Sequence, residues 1–295
     1  MALGILLGVK GMEKKNLVFV YGTLRKHQSN AHLLKDAILI TVQCWTNGEI
    51  YDSPYGYPFM KQSKKGTVYG ELYQVNEEQL KVLDDLEDYS LDEDNLYDRV
   101  VQTVYTDTGS FQALVYVLPE NKQIEELTYM TSGNWSVYRL LKDNDTFLYF
   151  AYGSCMDRER FKKAGVNELF QNVKGRGVLE GYQLRFTIHA HDGGRADIVE
   201  EGGTVEGIVY EVTKECLEYL YEREGVEVGW YRPAVVDVDI NGTSTKNVLT
   251  FVVVEKEAET APPTHYFHEI LRGGNGVLSH AYLEKLKKHV EEKFH

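Results

Sequence analysis

Gly66-Thr67-Val68-Tyr69-Gly70-Glu71-Leu72-Tyr73-Gln74-Val75-Asn76 returns later in the chain as Gly203-Thr204-Val205-Glu206-Gly207-Ile208-Val209-Tyr210-Glu211-Val212-Thr213. The register holds onward without a gap, so that Leu80, Leu83 and Glu87 fall opposite Leu217, Leu220 and Glu224. Upstream, Val18-Phe19-Val20-Tyr21-Gly22-Thr23 has its counterpart in Leu148-Tyr149-Phe150-Ala151-Tyr152-Gly153-Ser154. The chain therefore reads as two copies of one domain, with expected bounds of 14–142 and 145–295. A length of 295 residues suits two domains. Each copy is long enough to bury its own core.

Within the first copy, apolar runs at residues 17–20, 38–42, 48–51 and 68–75 predict strands, and 53–58 reads as a Pro- and Gly-bearing turn. Asn76 with Gln79 three residues on predicts a capping box, opening a helix over residues 77–88. An acidic loop, Asp92-Glu93-Asp94, follows, and residues 99–106 and 113–117 close the copy as an antiparallel pair. The second copy repeats this order with strands at 148–151, 177–189, 205–212, 234–240 and 247–254, a Thr213-capped helix, and a hairpin at Asn241-Gly242. A tail over residues 279–293 predicts an amphipathic helix with Tyr282, Leu283, Leu286 and Val290 inward. Strand-rich copies with one main helix each predict an α+β fold whose sheet curls towards a small mixed β-barrel with flanking helices.

The composition, 43% hydrophobic and 26% charged, is that of an ordinary globular protein. A net charge of -13 argues against nucleic acid and anionic membranes as partners, since both call for clustered Lys and Arg. Cys44, Cys155 and Cys216 are too few and scattered for a disulfide framework and suit a reducing compartment, the cytoplasm by default. No apolar run approaches the ~20 residues of a membrane helix. Residues 1–11 are apolar but lack the basic start of a signal peptide, and Met12 is the expected natural start.

Leu80, Leu83 and Glu87 recur at steps of three and four, so one helix face carries two leucines and then a glutamate; Leu217, Leu220 and Glu224 do the same. A glutamate continuing an apolar stripe is expected to be desolvated, which raises its pKa above about 4.3. Asp84 and Asp88 are expected to push Glu87 the same way. A carboxylate tuned in this manner can serve as a general base. The structural alternative is a helix-end glutamate that reaches solvent or pairs with Arg99 or Arg232.

Tyr21-Gly22-Thr23-Leu24 and Tyr152-Gly153-Ser154-Cys155 each end an apolar strand. A glycine there lets successive N–H groups converge on one spot, a nest for a carboxylate or oxyanion, to which a following helix start would add its own N–H groups. A plain turn is the alternative.

An apolar strand ending in Tyr-Gly-Thr-Leu-Arg, then Gly-x-Val-x-Gly-Glu-Leu-Tyr, Leu-Asp-x-Leu-Glu and Tyr-x-Arg, resembles the gamma-glutamylcyclotransferase-like superfamily. The first copy, with Ser132-Gly133-Asn134-Trp135, resembles the gamma-glutamylamine cyclotransferase branch. The second, with Tyr152-Gly153-Ser154-Cys155-Met156 and Glu222-Arg223-Glu224-Gly225-Val226, resembles gamma-glutamylcyclotransferase proper. The resemblance implies a small-molecule γ-glutamyl substrate; no cofactor is expected, and no metal, because no cluster has convincing ligand spacing. It implies that Glu87 and Glu224 are the catalytic bases. It also implies that Tyr21, Gly22, Thr23, Leu24 and Tyr97, and Tyr152, Gly153, Ser154, Cys155, Met156 and Tyr231, bind substrate. Two departures stand out: Cys155 occupies a position where the proper branch commonly has Asn, and Tyr231-Arg232 are adjacent whereas Asp98 separates Tyr97 from Arg99.

His189 and His191 are weak metal candidates at that spacing. Pro262-Pro263 makes a loop the expectation for His265 and His268. Gly273-Gly274-Asn275-Gly276 lacks the Gly-Lys-Ser/Thr of a phosphate loop and reads as a turn lining the second site. A scaffold with degenerate sites, or an intermolecular acyltransferase using Cys155, are the alternatives to a cyclotransferase.

Overall fold

Two closed five-stranded barrels account for the duplicated sequence. The computed structural model describes residues 15–90 and 95–294, so Asp92-Glu93-Asp94 and residues 1–11 lie outside the described residues. The chain divides into two compact units, one of residues up to Tyr105 with Ser110–Thr128, the other of Thr106–Gly109 and the chain from Tyr129 onward. Strands β1 (Asn16–Val20), β2 (Ile38–Asn47), β3 (Glu49–Asp52), β4 (Phe59–Lys61), β5 (Thr67–Val75), β6 (Asp98–Thr106) and β7 (Gly109–Val117) come first, with helix α1 (Glu77–Leu86) after β5. A two-residue strand, β8 (Thr128–Tyr129), and helix α2 (Trp135–Asp143), capped by Asn134, precede the second barrel.

The second set comprises β9 (Thr146–Ala151), α3 (Arg158–Lys163), β10 (Val173–Glu180), β11 (Gln183–Ala190), β12 (Gly193–Val199), β13 (Thr204–Thr213), α4 (Cys216–Arg223), β14 (Tyr231–Ile240), β15 (Thr243–Val253), α5 (Thr264–Gly274) and α6 (His280–Phe294). Around the first ring the order is β1-β5-β2-β6-β7, closed by a parallel contact of Val18 with Leu114. Around the second it is β9-β13-β10-β14-β15, closed by Leu249 against Tyr149. Replacing each strand by its counterpart turns one ring into the other. Closure removes the unpaired edges that an open sheet would leave.

Leu80 and Leu83 of α1 pack into a core with Val18, Val20, Phe59, Tyr73, Tyr97 and Tyr116. Asn76 and Gln79 cap the helix reciprocally, each side chain bonding the other's N–H at 2.8 and 2.9 Å. The helix stops two residues short of expectation: Leu86 is its last residue and Glu87 its C-cap, with Asp88 in the left-handed region at φ 49°. In the second copy, Thr213 belongs to β13 and caps nothing; α4 opens at Cys216 without a side-chain cap. The run at 177–189 is broken by Gly181, at φ 88°, into β10 and β11. Asn241-Gly242 forms the hairpin between β14 and β15. His265 and His268 lie on α5, not in a loop, and α6 buries Tyr282, Leu286 and Val290. Among the described residues no helix is long and apolar enough to cross a membrane.

The repeated glycines at Gly70 and Gly207 have a steric cause. A Cβ on Gly70 would overlap the Val20 carbonyl oxygen and lie 2.7–2.8 Å from the Phe19 ring. One on Gly207 would overlap the Ala151 carbonyl oxygen and lie 2.6–2.8 Å from the Phe150 ring. These strands cross where no side chain fits, and the backbone of a closed ring cannot yield as a flexible side chain could. Gly70→Ala and Gly207→Ala are each expected to destabilise by about 1–3 kcal/mol, read as a lower midpoint in urea denaturation of the full chain.

Candidate active site

At the end of β1 the chain turns through Tyr21-Gly22-Thr23-Leu24, and α1 ends on the same cavity with Glu87. This cavity, of about 220 Å³, is also lined by Tyr57, Pro58, Leu86, Tyr97 and Tyr116. Glu87 is half-buried and lines this space. Desolvation raises its pKa to about 7. The C-terminal end of a helix, where carbonyl groups point outward, also disfavours a negative charge. Asp84 does not act as a free like charge: it is paired with Arg99 and accepts the Tyr116 hydroxyl at 2.7 Å. Arg99 is thus engaged elsewhere, and Glu87 accepts no hydrogen bond among the described residues.

The turn opposite is held from several sides. Tyr21 donates its hydroxyl to the Tyr116 carbonyl at 2.8 Å. Gly22 lies so close to Pro58 that a Cβ would sit 2.8 Å from its ring. Asn30 bonds Thr23 twice, through its N–H to the carbonyl at 2.9 Å and through Nδ2 to Oγ1 at 3.1 Å. Just beyond, Arg25 Nε meets Glu71 at 3.2 Å, with side chains only 3% and 5% exposed. Glu71 also accepts the Lys26 N–H at 2.9 Å and the Tyr73 hydroxyl at 3.0 Å. The backbone N–H groups of Gly22, Thr23 and Leu24 have no partner among the described residues, which leaves three donors on the cavity's turn.

In the second copy the tyrosine framework is preserved. Tyr152 donates to the Phe251 carbonyl at 2.6 Å, as Tyr21 does to Tyr116. Tyr231 donates to the Ala196 carbonyl at 2.5 Å, as Tyr97 does to Pro58 at 3.0 Å. The N–H groups of Gly153, Ser154 and Cys155 likewise have no partner among the described residues. The rest differs. The cavity is about 40 Å³, lined by Tyr149, Arg195, Arg223, Glu224, Trp230 and Tyr266 among others. Cys155, where the first copy has Leu24, donates its thiol to Glu224 Oε1 at 3.2 Å. Burial raises the Glu224 pKa, opposed by Arg223 and by that thiol. Burial, and then the Glu224 charge, push the Cys155 thiol up to about 12.

Of the residues predicted from sequence, Tyr21, Gly22, Thr23, Leu24, Glu87 and Tyr97 share the first cavity, and Tyr152, Gly153, Ser154, Cys155, Glu224 and Tyr231 the second. Met156 does not line its cavity. The chain after Gly153 winds into a 3₁₀ turn, and Met156 is turned against α5, where a Cβ on Gly273 would lie 2.8 Å from its own. Gly273 and Gly274 are helical and serve close packing, so the expected site-lining turn is absent from the second cavity. His189 is hydrogen-bonded to the Ala258 carbonyl at 2.6 Å. Sequence reasoning missed Asn30, Tyr57, Pro58, Tyr116, Arg195, Arg223, Trp230 and Tyr266. Of these, only Arg223 lies within a recognisable motif, Glu222-Arg223-Glu224-Gly225-Val226.

Residues 18–137 match the family described as gamma-glutamyl cyclotransferase, AIG2-like, and residues 204–286 match the AIG2-like family. The putative gamma-glutamylcyclotransferase YkqA of Bacillus subtilis is 43% identical over 277 residues, spanning 93% of this chain and 97% of that protein. The crystal structure of YkqA superposes with a TM-score of 0.85, covering 94% of this chain and 98% of the other. The human gamma-glutamylcyclotransferase is 33% identical over 155 residues, 49% of this chain and 79% of its own length.

A folded-state pKa near 7 above a reference of 4.5 has a consequence for stability. The folded state holds the Glu87 proton more tightly than the unfolded chain, so this contribution is complete below pH 4.5 and is lost as pH rises through about 7. Glu87→Gln removes the loss. The variant's melting temperature relative to the wild type is expected to be a few degrees more favourable at pH 8 than at pH 5; a difference independent of pH contradicts a desolvated carboxylate.

Proposed function

The chain belongs to the AIG2-like gamma-glutamyl cyclotransferase family as a tandem member, and we propose that it releases 5-oxoproline from small γ-glutamyl compounds, with Glu87 as general base in the first copy. The observation that carries this reading is a carboxylate with a pKa of about 7 opening on a cavity whose other wall is a turn of unpaired N–H groups. In the reaction the substrate's α-ammonium gives a proton to Glu87. The freed amine attacks the γ-carbonyl carbon, and the new C–N bond closes the five-membered ring. The protonated Glu87 then returns that proton to the leaving nitrogen as the old C–N bond breaks, and the ring nitrogen gives its second proton, through the freed carboxylate, to the departing amine, so that 5-oxoproline and an ammonium ion leave.

Because nucleophile and electrophile belong to one molecule, the protein's main contribution is to fold the chain into attack geometry. The N–H groups of Gly22, Thr23 and Leu24 would hold the substrate carboxylate, and Tyr97 and Tyr116 would wall the γ-glutamyl chain. Removing a proton from an ammonium near neutral pH suits a base of matching pKa. Glu224 occupies the same place in the second copy and is proposed as its base, in a smaller site with different neighbours. A covalent acyltransferase reading through Cys155 is disfavoured, since the thiolate is the nucleophile and this thiol sits near 12. A cytoplasmic setting is part of the proposal, in keeping with Cys44, Cys155 and Cys216, all buried and free.

Glu87→Gln keeps the shape of the side chain but cannot take the proton. It is expected to lower 5-oxoproline release from γ-glutamyl amines by about a hundredfold or more, and the double variant Glu87→Gln/Glu224→Gln to abolish release from any γ-glutamyl compound. Wild-type kcat/KM is expected to rise with pH through about 7. Undiminished turnover by a folded double variant would sink the mechanism.

A further inference from the structure

In the first copy Tyr73 donates its hydroxyl to Glu71 at 3.0 Å, and Glu71 also holds Arg25. Tyr210 stands at the Tyr73 position of the second copy, but Ile208 replaces Glu71 and Met156 replaces Arg25. The acceptor is gone and no other takes its place. Tyr210 is 1% exposed, and its hydroxyl has no hydrogen-bond partner among the described residues. The ring cannot turn to find one, since Tyr149, Phe161 and Phe170 hold it at centroid separations of 6.3, 6.0 and 5.8 Å. The hydroxyl oxygen is not wholly sealed, and Tyr210 lines a groove of about 480 Å³. This groove shares no lining residue with the Glu224 cavity. Met156, Val173, Ile208 and Val277 give it an apolar wall. Most of its charges are paired: Asp157 accepts from Arg272 Nε at 3.2 Å, and Glu159 from Lys162 at 2.7 Å. Arg158, exposed beside them, makes no ion pair or side-chain hydrogen bond among the described residues. Burial keeps the Tyr210 phenol protonated and able to donate, and the charge of Arg158 reaches the same hydroxyl and opposes that upward shift.

We propose that this groove binds a small apolar monocarboxylate, its carboxylate taken by Arg158 and the Tyr210 hydroxyl and its body lying along Met156, Ile208 and Val277. A buried hydroxyl without a partner is costly until an acceptor completes it. A guanidinium adds a charge-assisted bond to the same group. One unpaired cation flanked by Asp157 and Glu159 suits a single negative charge rather than the dianion of a phosphate monoester. The volume falls within the roughly 300–1,000 Å³ of small-molecule sites. The first copy offers no such site at the matching place, because Glu71 already accepts the Tyr73 hydroxyl and Arg25 is paired with it. This binding does not depend on the proposed reaction, and neither catalytic glutamate lines the groove.

Met156 supplies the readout. With the methionine methyls of the full chain labelled with carbon-13, Met156→Leu assigns its resonance. Titration with phenylacetate is expected to shift that methyl saturably and to leave Met60, in the other barrel, unmoved. Phenylacetamide lacks the charge and acetate lacks the apolar body, and each is expected to bind at least tenfold more weakly. Tyr210→Phe and Arg158→Gln are each expected to weaken phenylacetate about tenfold. Arg158 is exposed, so its variant tests the site without disturbing the core. Met156→Arg/Ile208→Glu, which copies the first copy's pair, is expected to abolish binding, measured by calorimetry. Glu224→Gln is expected to bind phenylacetate as the wild type does. No saturable shift, equal affinity for phenylacetate and phenylacetamide, or unchanged affinity in Arg158→Gln would each overturn the proposal. So would a response that follows Glu224→Gln, which would place the acid in the catalytic cavity instead.

Discussion

A carboxylate partly withdrawn from water at the end of a helix is the constraint around which each copy is organised. Leu80 and Leu83 bury one face of α1, and the next position on that face is Glu87. The helix stops there, so the carboxylate leaves the apolar stripe at the cavity instead of continuing into the core. Desolvation and the carbonyl end of the helix both favour the proton, and Asp84, which could have added charge, is occupied by Arg99 and Tyr116. The same Leu-Leu-Glu stripe ends α4 at Glu224, where Arg223 and Cys155 work against the upward shift. One backbone arrangement thus carries two differently tuned acids.

The turn that faces the carboxylate is braced in two chemically opposite ways. In the first copy Arg25 and Glu71 form a buried, multiply hydrogen-bonded pair beneath it. At the aligned positions of the second copy stand Met156 and Ile208, which line a common groove. Exchange of a buried ion pair for an apolar pair is tolerated when both partners change together, because desolvation of the charges offsets much of their attraction. Changing only one would strand a buried charge. The duplication preserves the ring of strands and the tyrosine bonds while altering the support of the turn.

Much of this was legible in the sequence because the signals were local and doubled. The stripe of Leu80, Leu83 and Glu87 has helical spacing, and the Asn76–Gln79 box marks where the helix begins. Gly70 and Gly207 repeat because a neighbouring strand's carbonyl occupies the place of a side chain. Arg25 and Glu71 were visible as motif letters, yet their pairing joins residues 46 apart and had no local signature. Tyr57, Pro58 and Tyr116 reach the first cavity from other strands and turns, so barrel closure alone brings them there. Met156 was misplaced because motif adjacency says nothing of direction, and in a 3₁₀ turn successive side chains splay apart. Thr213 and the broken run at 177–189 show the same limit: hydrogen bonding to a neighbouring strand, and a left-handed Gly181, decided boundaries that propensity left open.

Glu87 is a carboxylic acid poised near neutrality. Carbon-13 NMR titration of the glutamate side-chain carboxyls in the full chain, with Glu87→Gln to assign the resonance, measures this directly. A resonance titrating at about pH 7 that disappears in the variant is the expected result. A Glu87 carboxyl titrating near 4.5, as an ordinary exposed glutamate does, would contradict it.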